Sequence, residues 1–399
     1  MSFLVGCVLA TSVVATGYQL FQLVAAAAFF RRARRRAARA KEYRPPVTIL
    51  KPLKGPGIDL YANLASFCRQ DYPEFQIVCG VTDPNDAAIE IVRKIQRDFP
   101  ARDVVLSIGD RPGANRKVAN LCHMIEHAKH PVLALSDADV RVRPDYLRRT
   151  VAPLANPKAG LTTCLYRGRG FFGLPSVIES LLINCDFVPM VLTAQYIGQR
   201  NALGASLCFK REALDAMGGF PRIADHLADD NLLGEGVKQA GYTVELLPYV
   251  VETILDSTSV ADVWRHQVRW ARTYRVLQPI GWCCSVVTHA TTWGTASLAA
   301  TGAAPIGWAF FVAAIVIRLG SLRAIMRMLR ERDTPHHLWM VPFKDLAFTA
   351  VWLASWLGRN VVWSGQRLRV QRDGRMVPLD GSPPQRAEPT FRPGETHAA

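Results

Sequence analysis

The stretch at residues 132–139, VLALSDAD, decides the fold of this chain. An uncharged, mostly apolar run leads directly into two aspartates, Asp137 and Asp139. A short apolar run that ends in polar residues is typical of a buried strand in a parallel sheet. Ligands of such sheets bind outside the carboxyl ends of the strands, so both aspartates stand where a site is expected.

On either side of this stretch, short β-rich runs alternate with helical stretches through residues 47–280. The alternation predicts βαβ units and a mostly parallel sheet, an α/β fold. A second predicted strand also ends in an acidic turn, DPND at residues 83–86, at the same edge of the sheet. The predicted strands are 47–53, 75–81, 104–108, 132–135 and 160–166, and the predicted helices are 60–68, 87–99, 117–129, 229–240 and 260–277.

The N-terminal segment is long enough to cross a membrane. Residues 2–30 contain no Asp, Glu, Lys or Arg, and about 20 apolar residues span a bilayer core. Basic residues follow at once, and such residues stay on the cytosolic side of a span. We therefore expect an uncleaved anchor over residues 1–30, a basic juxtamembrane linker over 31–44 and a cytosolic globular domain over 45–278. The alternative is a buried core helix beside a basic linker.

The C-terminal part is apolar again, and its topology stays open. We expect a membrane region over residues 279–365 with two or three segments, of which 280–317 lacks charges and fits two short spans. Residues 338–363 carry three charged side chains, so they span, lie at the interface or re-enter. A third span would place the basic tail, residues 366–399, outside, against the charge rule. The Pro-rich end of that tail is expected to be disordered.

The chain is strongly basic, with 48 Lys and Arg against 33 Asp and Glu and a net charge of +15. Such a balance suits nucleic acid, anionic lipid or phosphorylated substrates. Much of the charge lies beside the apolar segments, which favours lipid headgroups. No basic patch stands out in the globular part, so a nucleic-acid partner is not expected.

The two aspartates that follow the decisive strand are candidate metal ligands. A divalent metal such as Mg²⁺ is commonly held by one or two carboxylates together with substrate phosphates. There it acts as a Lewis acid for a diphosphate leaving group. A chance pair of carboxylates on a solvated turn is the alternative for Asp137 and Asp139 taken alone. Asp83 is a candidate for binding a nucleobase or ribose, or else a turn residue before proline.

Three further groups carry candidate chemistry. Asp229 and Asp230 open a predicted helix, where a carboxylate either stabilises the helix dipole or serves as a general base. Arg269 and Trp270 lie on the basic helix, where they either clamp a diphosphate or anchor the helix at a membrane interface. Lys117 begins a helix, where a cation and free N–H groups meet phosphate, unless it is part of a solvated loop.

These residues follow one another in a fixed order along the chain: Asp83, Asp137 with Asp139, Asp230, and Arg269 with Trp270. In this order the chain resembles glycosyltransferase family 2-like enzymes, whose signature has three aspartate motifs followed by (Q/R)xxRW. It resembles family 21, the ceramide glucosyltransferase type, more closely, over residues 45–370. The motifs of this closer resemblance are ILKPLK at 49–54, DYP at 71–73, CGVTDPND at 79–86, NRKVANL at 115–121, DADVRV at 137–142 and GGF at 218–220.

Within family 21 the chain is most similar to the bacterial branch associated with hopanoid biosynthesis. That branch transfers N-acetylglucosamine from UDP-N-acetylglucosamine to bacteriohopanetetrol, which implies a bacterial inner-membrane protein with a cytosolic catalytic domain. The motifs of this similarity are SFCRQDYP at 66–73, TCLYRGR at 163–169 and ADHLADD at 224–230.

The resemblance also implies a GT-A fold, an inverting mechanism, a UDP-sugar donor and a divalent metal, Mg or Mn. The roles it implies are uridine binding for Asp83, ribose and metal binding for Asp137 with Asp139, nucleotide contact for Lys117, general base for Asp230, and closure over diphosphate and acceptor for Arg269 with Trp270.

One position departs from the signature. His266 stands where (Q/R)xxRW has Gln or Arg, which leaves acceptor specificity and pH response open and favours the hopanoid branch over ceramide. The alternative in the same class is a ceramide glucosyltransferase that uses UDP-glucose. From another class, an inactive membrane scaffold with the same fold remains open.

Overall fold

The computed structural model describes residues 2–37, 42–170, 173–255, 259–358, 360–363, 366–371 and 373–379. The helices are α1 (Phe3–Ala37), α2 (Leu60–Cys68), α3 (Ala88–Asp98), α4 (Arg116–Met124), α5 (Tyr146–Val151), α6 (Leu174–Leu182), α7 (Val188–Tyr196), α8 (Arg211–Ala216), α9 (Asp229–Gln239), α10 (Val260–Leu277), α11 (Pro279–Ser285), α12 (Ala290–Ala300), α13 (Pro305–Leu329) and α14 (Val341–Ser355). The strands are β1 (Val47–Pro52), β2 (Phe75–Val81), β3 (Asp103–Ile108), β4 (Val132–Ser136), β5 (Val140–Arg141), β6 (Ala159–Arg169), β7 (Ser206–Lys210), β8 (Thr243–Ile254), β9 (Asn360–Trp363), β10 (Gln366–Val370) and β11 (Met376–Pro378).

The central sheet has eight strands in the order β3-β2-β1-β4-β7-β6-β8-β5. The first four strands of that order are parallel to one another, and β6 is parallel to β8. Strand β7 runs antiparallel between β4 and β6, and β5 closes the edge antiparallel to β8. The predicted α/β fold with a mostly parallel sheet is confirmed.

The sheet is covered on both faces, which is why its central strands are buried throughout. All seven residues of β2 and all five of β4 are buried. Helices α2 and α3 pack into one hydrophobic core, and α4, α8 and α9 pack into the other. Helices on both faces of a parallel sheet leave its carboxyl edge free for ligands.

Several predicted elements have different bounds in the structure. Helix α4 ends at Met124 and continues only as a short 3-10 turn, Ile125–His127, instead of reaching residue 129. Strand β6 runs on to Arg169 because it pairs with β8 as far as Ile254. The basic run predicted as a linker from residue 31 continues α1 to Ala37, since Arg and Ala are good helix formers.

Three helical stretches of the described chain are long and apolar enough to cross a membrane: Phe3–Arg35, Leu174–Tyr196 and Pro305–Leu329. Of the two short spans expected over residues 280–317, only α13 has the length. Helix α12, with 11 residues, is about 17 Å long and cannot cross a core of about 30 Å alone. The expected turn between them is present, with Gly302 at φ 60°.

The described part of the tail is folded. Strands β9, β10 and β11 form a second, antiparallel sheet, so the end of the expected membrane region is a strand. This sheet packs on the globular domain: Leu227 N donates to Gly374 O at 3.2 Å, and Met376 N donates to Asp225 O at 2.8 Å. A third span that placed the tail on the far side of a membrane is incompatible with these contacts. The expected disorder after residue 382 lies outside the described residues.

Candidate active site at the carboxyl edge of the sheet

The turn that carries Asp137 and Asp139 is stabilised by a buried lysine on the neighbouring strand. Strand β4 ends at Ser136, and the neighbouring β1 brings Lys51 to the same level. The Lys51 ammonium donates to the carbonyl oxygen of Asp137 and lies 3.5 Å from Ser136 Oγ. Burial lowers the pKa of Lys51 to about 8, and the two carboxylates oppose this shift. Lys51 therefore fixes the turn and balances part of its negative charge.

Asp139 is tied to the neighbouring strand β8 and lies close to Asp137. Its backbone carbonyl accepts a hydrogen bond from Ile254 N at 2.9 Å, which ties the turn to the end of β8. Burial, followed by the charge of Asp137, raises the pKa of Asp139 to about 7. The two carboxylates are thus close enough to repel each other.

Lys117 connects two of the predicted site motifs. Its Nζ lies 2.6 Å from Asp137 Oδ1 and 3.4 Å from Asp229 Oδ2. The first turn of α4 is positioned by Asn115, whose side chain accepts from Lys117 N at 3.1 Å and donates to His226 O at 2.8 Å. Burial acts to lower the pKa of Lys117, but Asp137 and Asp229 raise it above its ordinary value, so the side chain stays charged.

Asp230 is the second residue of α9, and its charge acts on Lys117. Its Oδ2 accepts from Gly204 N at 2.8 Å, and its Oδ1 accepts from Asn231 N at 2.8 Å. A Cβ at position 204 would lie 3.1 Å from that Oδ2, so glycine allows the close approach. Burial, followed by the charge of Asp229, raises the pKa of Asp230 to about 6. A carboxylate with this pKa is ionised at neutral pH yet basic enough to accept a proton.

A series of aromatic side chains connects β6 to α10. Burial raises the pKa of Tyr166, and the charges of Asp230, Asp137 and Asp139 add to this shift. The Tyr166 ring lies 4.7 Å from Phe187, and Phe187 lies 6.1 Å from Trp270, centroid to centroid. Phe187 therefore connects Trp270 of α10 to Tyr166 of β6.

Arg269 and His266 meet a buried carboxylate on α6. Glu179 has a side chain only 2 % exposed, and its Oε1 contacts His266 Nδ1. Burial lowers the pKa of Arg269, and the charge of Glu179 opposes this. The His266 ring packs edge-on against Trp270 at 4.9 Å. The residue that departs from the family signature is thus bonded to Glu179.

Asp83 lies apart from this cluster. It is exposed in the turn after β2, where its Oδ1 accepts from Asn85 N at 2.9 Å. Because β1 separates β2 from β4, the ends of these strands are about 10 Å apart. Asp83 stands at the predicted edge but does not touch the other predicted site residues.

The carboxylates of Asp137 and Asp139 fit a divalent metal. Their mutual repulsion would be relieved by a cation between them. Within the described ranges, no group of three or more His, Cys, Asp and Glu side chains could hold a metal unaided. The remaining ligands would come from donor phosphates and water, which is how Mg²⁺ is usually held.

The sequence predicts no role for three residues around the site: Lys51, Glu179 and Tyr166. The signal for Lys51 is a cation inside an apolar strand, and the signal for Glu179 is the lone acid of an apolar helix. Buried charges of this kind require a partner. Tyr166 gives no comparable signal, because an aromatic residue in a buried strand is ordinary.

The family model described as Glycosyl transferase family 21 matches residues 7–376. Among curated proteins, ceramide glucosyltransferase 1 of Caenorhabditis elegans is 24% identical over 237 residues, 59% of this chain and 51% of that protein. Ceramide glucosyltransferase of Candida albicans is 34% identical over 121 residues, 27% of this chain and 22% of that protein. The chain thus spans about half the length, or less, of these curated relatives.

Two solved structures are also similar. One is the mannosyltransferase PcManGT from Pyrobaculum calidifontis in complex with GDP-Man and Mn²⁺, with a TM-score of 0.48 and 18% identity over 88% of this chain and 99% of that chain. The other is S. aureus TarS 1-349 in complex with UDP-GlcNAc, with a TM-score of 0.38 and 14% identity over 83% and 98%. The match of the family model to nearly the whole sequence decides the assignment: the chain belongs to glycosyl transferase family 21.

Proposed function

We propose that the chain transfers a sugar from a UDP-sugar to a hydroxyl group of a membrane lipid, with inversion at the anomeric carbon. The observation that carries this proposal is Asp230, a half-buried carboxylate whose pKa is raised to about 6. It faces the charged cluster formed by Lys117, Asp137 and Asp229. A base beside a candidate diphosphate site is what hydroxyl attack on a sugar nucleotide requires.

In the proposed step, the acceptor oxygen forms a bond to the anomeric carbon, and its proton passes to Asp230. The bond from that carbon to the diphosphate breaks, and its electron pair leaves with UDP. Lys117 and Arg269 stabilise the charge that develops on the leaving group. A divalent metal bound by Asp137 and Asp139 would supply Lewis acid stabilisation of the same diphosphate.

The donor would lie along the carboxyl edge, with uridine at Asp83 and ribose at Asp137. We further propose N-acetylglucosamine as the sugar and bacteriohopanetetrol as the acceptor. The motifs at residues 66–73, 163–169 and 224–230 support this choice, and so does His266 in the (Q/R)xxRW position.

Ceramide glucosylation with UDP-glucose is the second candidate. The curated relatives from Caenorhabditis elegans and Candida albicans, which carry the name ceramide glucosyltransferase, favour it. An inactive scaffold is less well supported, because a scaffold has no need of a base whose pKa is tuned toward neutrality.

We also propose that residues 45–278 form the cytosolic catalytic domain of a protein of the bacterial inner membrane. The apolar stretches Phe3–Arg35 and Pro305–Leu329 and the basic end of α1 support membrane attachment and this orientation.

A matrix of donors and acceptors tests the proposal. The purified full chain in detergent is incubated with UDP-N-acetylglucosamine, UDP-glucose or UDP-galactose, each with bacteriohopanetetrol or ceramide, with magnesium or manganese. Glycosylated bacteriohopanetetrol from UDP-N-acetylglucosamine is the expected product. Formation of glucosylceramide would support transfer of a sugar to a lipid but would identify ceramide glucosylation as the function. No lipid product from any pair, with UDP still bound, would refute the transfer.

A further inference from the structure

A cavity of about 350 Å³ lies outside the carboxylate cluster. It forms where the end of β6 meets α6 and the short helical segment Thr334–Met340 that precedes α14. Its size falls within the range of small-molecule sites, roughly 300–1,000 Å³. None of the site residues predicted from the sequence lines it.

The lining offers both donors and acceptors of hydrogen bonds. Thr334 Oγ1 accepts from Asn184 Nδ2 at 2.8 Å, which leaves its own hydroxyl hydrogen to donate. Ser180 Oγ donates to Val177 O at 2.7 Å, which leaves its lone pairs to accept. The imidazoles of His336 and His337 complete a surface that suits a group with several hydroxyls.

The charges around the cavity are already paired. Arg169 contacts Glu252 at 2.7 Å and Asp333 at 3.2 Å, and Arg167 contacts Glu252 and Glu331. Two guanidinium groups therefore face three carboxylates. A charged headgroup would have to displace these ion pairs, so the cavity favours an uncharged ligand.

The elements around the cavity carry exposed apolar side chains. Leu174 at the start of α6, Trp339 beside the cavity and Phe343 in α14 are 56%, 67% and 71% exposed. Large apolar residues that remain exposed near apolar helices are typical of a membrane interface, where Trp is enriched. A polar cavity at this level fits the head of an amphiphile whose body lies in lipid.

The cavity is also close to the proposed reaction centre. Gly168, which lines it, follows Tyr166 by two residues on β6, a distance of about 7 Å along a strand. The charges of Asp230, Asp137 and Asp139 help to raise the pKa of Tyr166. Glu179 and Ser180 are neighbours on α6, so one helix contributes to the cavity and to the His266 contact.

We propose that this cavity binds the uncharged, hydroxyl-rich head of the lipid acceptor, with Ser180 and Thr334 as specificity-determining hydrogen-bond partners. The proposal rests on the proposed function and assigns its acceptor site. The apolar body of the lipid lies against the exposed side chains of Leu174, Trp339 and Phe343.

Steady-state kinetics of Thr334→Val and Ser180→Ala test this assignment, with Thr150→Val as the matched control because its hydroxyl is buried in the domain core. Loss of one hydrogen bond is expected to raise the KM for bacteriohopanetetrol about fivefold in each cavity variant. The KM for the UDP-sugar stays at the wild-type value in all three. Wild-type acceptor KM in both cavity variants overturns the proposal, whereas absence of lipid product in the wild type refutes the proposed function instead.

A binding measurement keeps the cavity testable without turnover. In His337→Cys, maleimide labelling of the new thiol is read by mass spectrometry after addition of bacteriohopanetetrol, ceramide or phosphatidylglycerol. Protection by bacteriohopanetetrol or ceramide, without protection by phosphatidylglycerol, is the expected result. Failure of both neutral lipids to protect, or equal protection by the anionic lipid, contradicts the proposal.

Discussion

At the scale of single residues, the surroundings of Asp230 suit it to proton transfer. Its two oxygens accept backbone hydrogen bonds from Gly204 and Asn231, so the carboxylate is held in one orientation. Burial and Asp229 raise its pKa to about 6. Asp229 itself contacts Lys117 at 3.4 Å, which leaves Asp230 as the carboxylate available to an acceptor.

Asp230→Asn is expected to lower kcat by about 10²–10⁴-fold, the usual contribution of a positioned general base. The amide keeps the shape of the side chain but cannot take a proton. UDP binding, measured by calorimetry, should change little. Activity within tenfold of the wild type would remove Asp230 from the role of base.

The pH dependence of kcat/KM follows from the same carboxylate. Asp230 must be ionised to act, and its pKa is raised to about 6, so kcat/KM is expected to fall as pH drops below about 6. The pH profile of kcat/KM, which reports the pKa values of the free enzyme, is measured with saturating metal. A rate that stays constant down to about pH 4.5 would contradict the assignment.

Glu179 is expected to position α10. In Glu179→Gln, the His266 contact weakens and Arg269 loses its facing carboxylate, so kcat should fall about tenfold with little change in the KM for the UDP-sugar. His266→Gln can still donate to Glu179 and should stay within threefold of the wild type. Glu90→Gln, at an exposed pair with Arg93, is the control. Wild-type kcat in Glu179→Gln, or an equal loss of kcat in Glu90→Gln, would contradict this role.

At the scale of elements, the site depends on segments far apart in the sequence. Helix α4 brings Lys117, α9 brings Asp229 and Asp230, and the tail sheet holds the loop before α9 through Asp225 and Leu227. Leu368, Val370 and Met376 pack with Leu227 and Ala114 in one buried cluster. The tail is therefore part of the structure that supports the site.

Leu368→Ala is expected to loosen this support. Removal of a buried leucine side chain lowers the free energy of unfolding by about 2–5 kcal/mol. The loops that precede α4 and α9 should then become more mobile, which raises the KM for the UDP-sugar and speeds amide hydrogen exchange at residues 224–228. Arg369→Ala, at an exposed neighbour, should leave both unchanged. Unchanged exchange in Leu368→Ala would show that the tail sheet does not support the loop.

The sequence predicts the elements whose signals are local. The bounds of β2, α2 and α10 agree with the prediction because each is an apolar or amphipathic run with clear ends. The tail sheet is not predictable in this way, because its stability comes from contacts with Leu227 and Ala114 that no local pattern encodes. The partner of Glu179 is likewise not predictable, because His266 is 87 residues away.

At the scale of the whole molecule, the tail and the start of α10 belong to the same body as the catalytic edge. The chain between them leaves the globular domain after Leu277 and is back at it by Glu331, which contacts Arg167 at 2.9 Å. If α13 crosses the membrane, a second crossing must bring the chain back, and the broken pair α11 and α12 is the segment available for it.

Cysteine labelling tests this topology. Arg35→Cys at the end of α1 and Arg369→Cys in the tail should react with a membrane-impermeant maleimide from the same side, and Ser2→Cys from the opposite side. Labelling is read peptide by peptide, because Cys7, Cys283 and Cys284 are also exposed. Labelling of positions 35 and 369 from opposite sides would contradict the arrangement.

The stereochemistry of the product tests the central claim most directly. UDP-N-acetylglucosamine has an α linkage, so direct attack by a hydroxyl activated by Asp230 gives a β-linked glycolipid. The measurement is nuclear magnetic resonance of the anomeric proton in the lipid formed by the purified chain from UDP-N-acetylglucosamine and bacteriohopanetetrol. The account predicts a β-glycoside that is absent with Asp230→Asn. An α-glycoside, or a β-glycoside formed equally well by the variant, would contradict it.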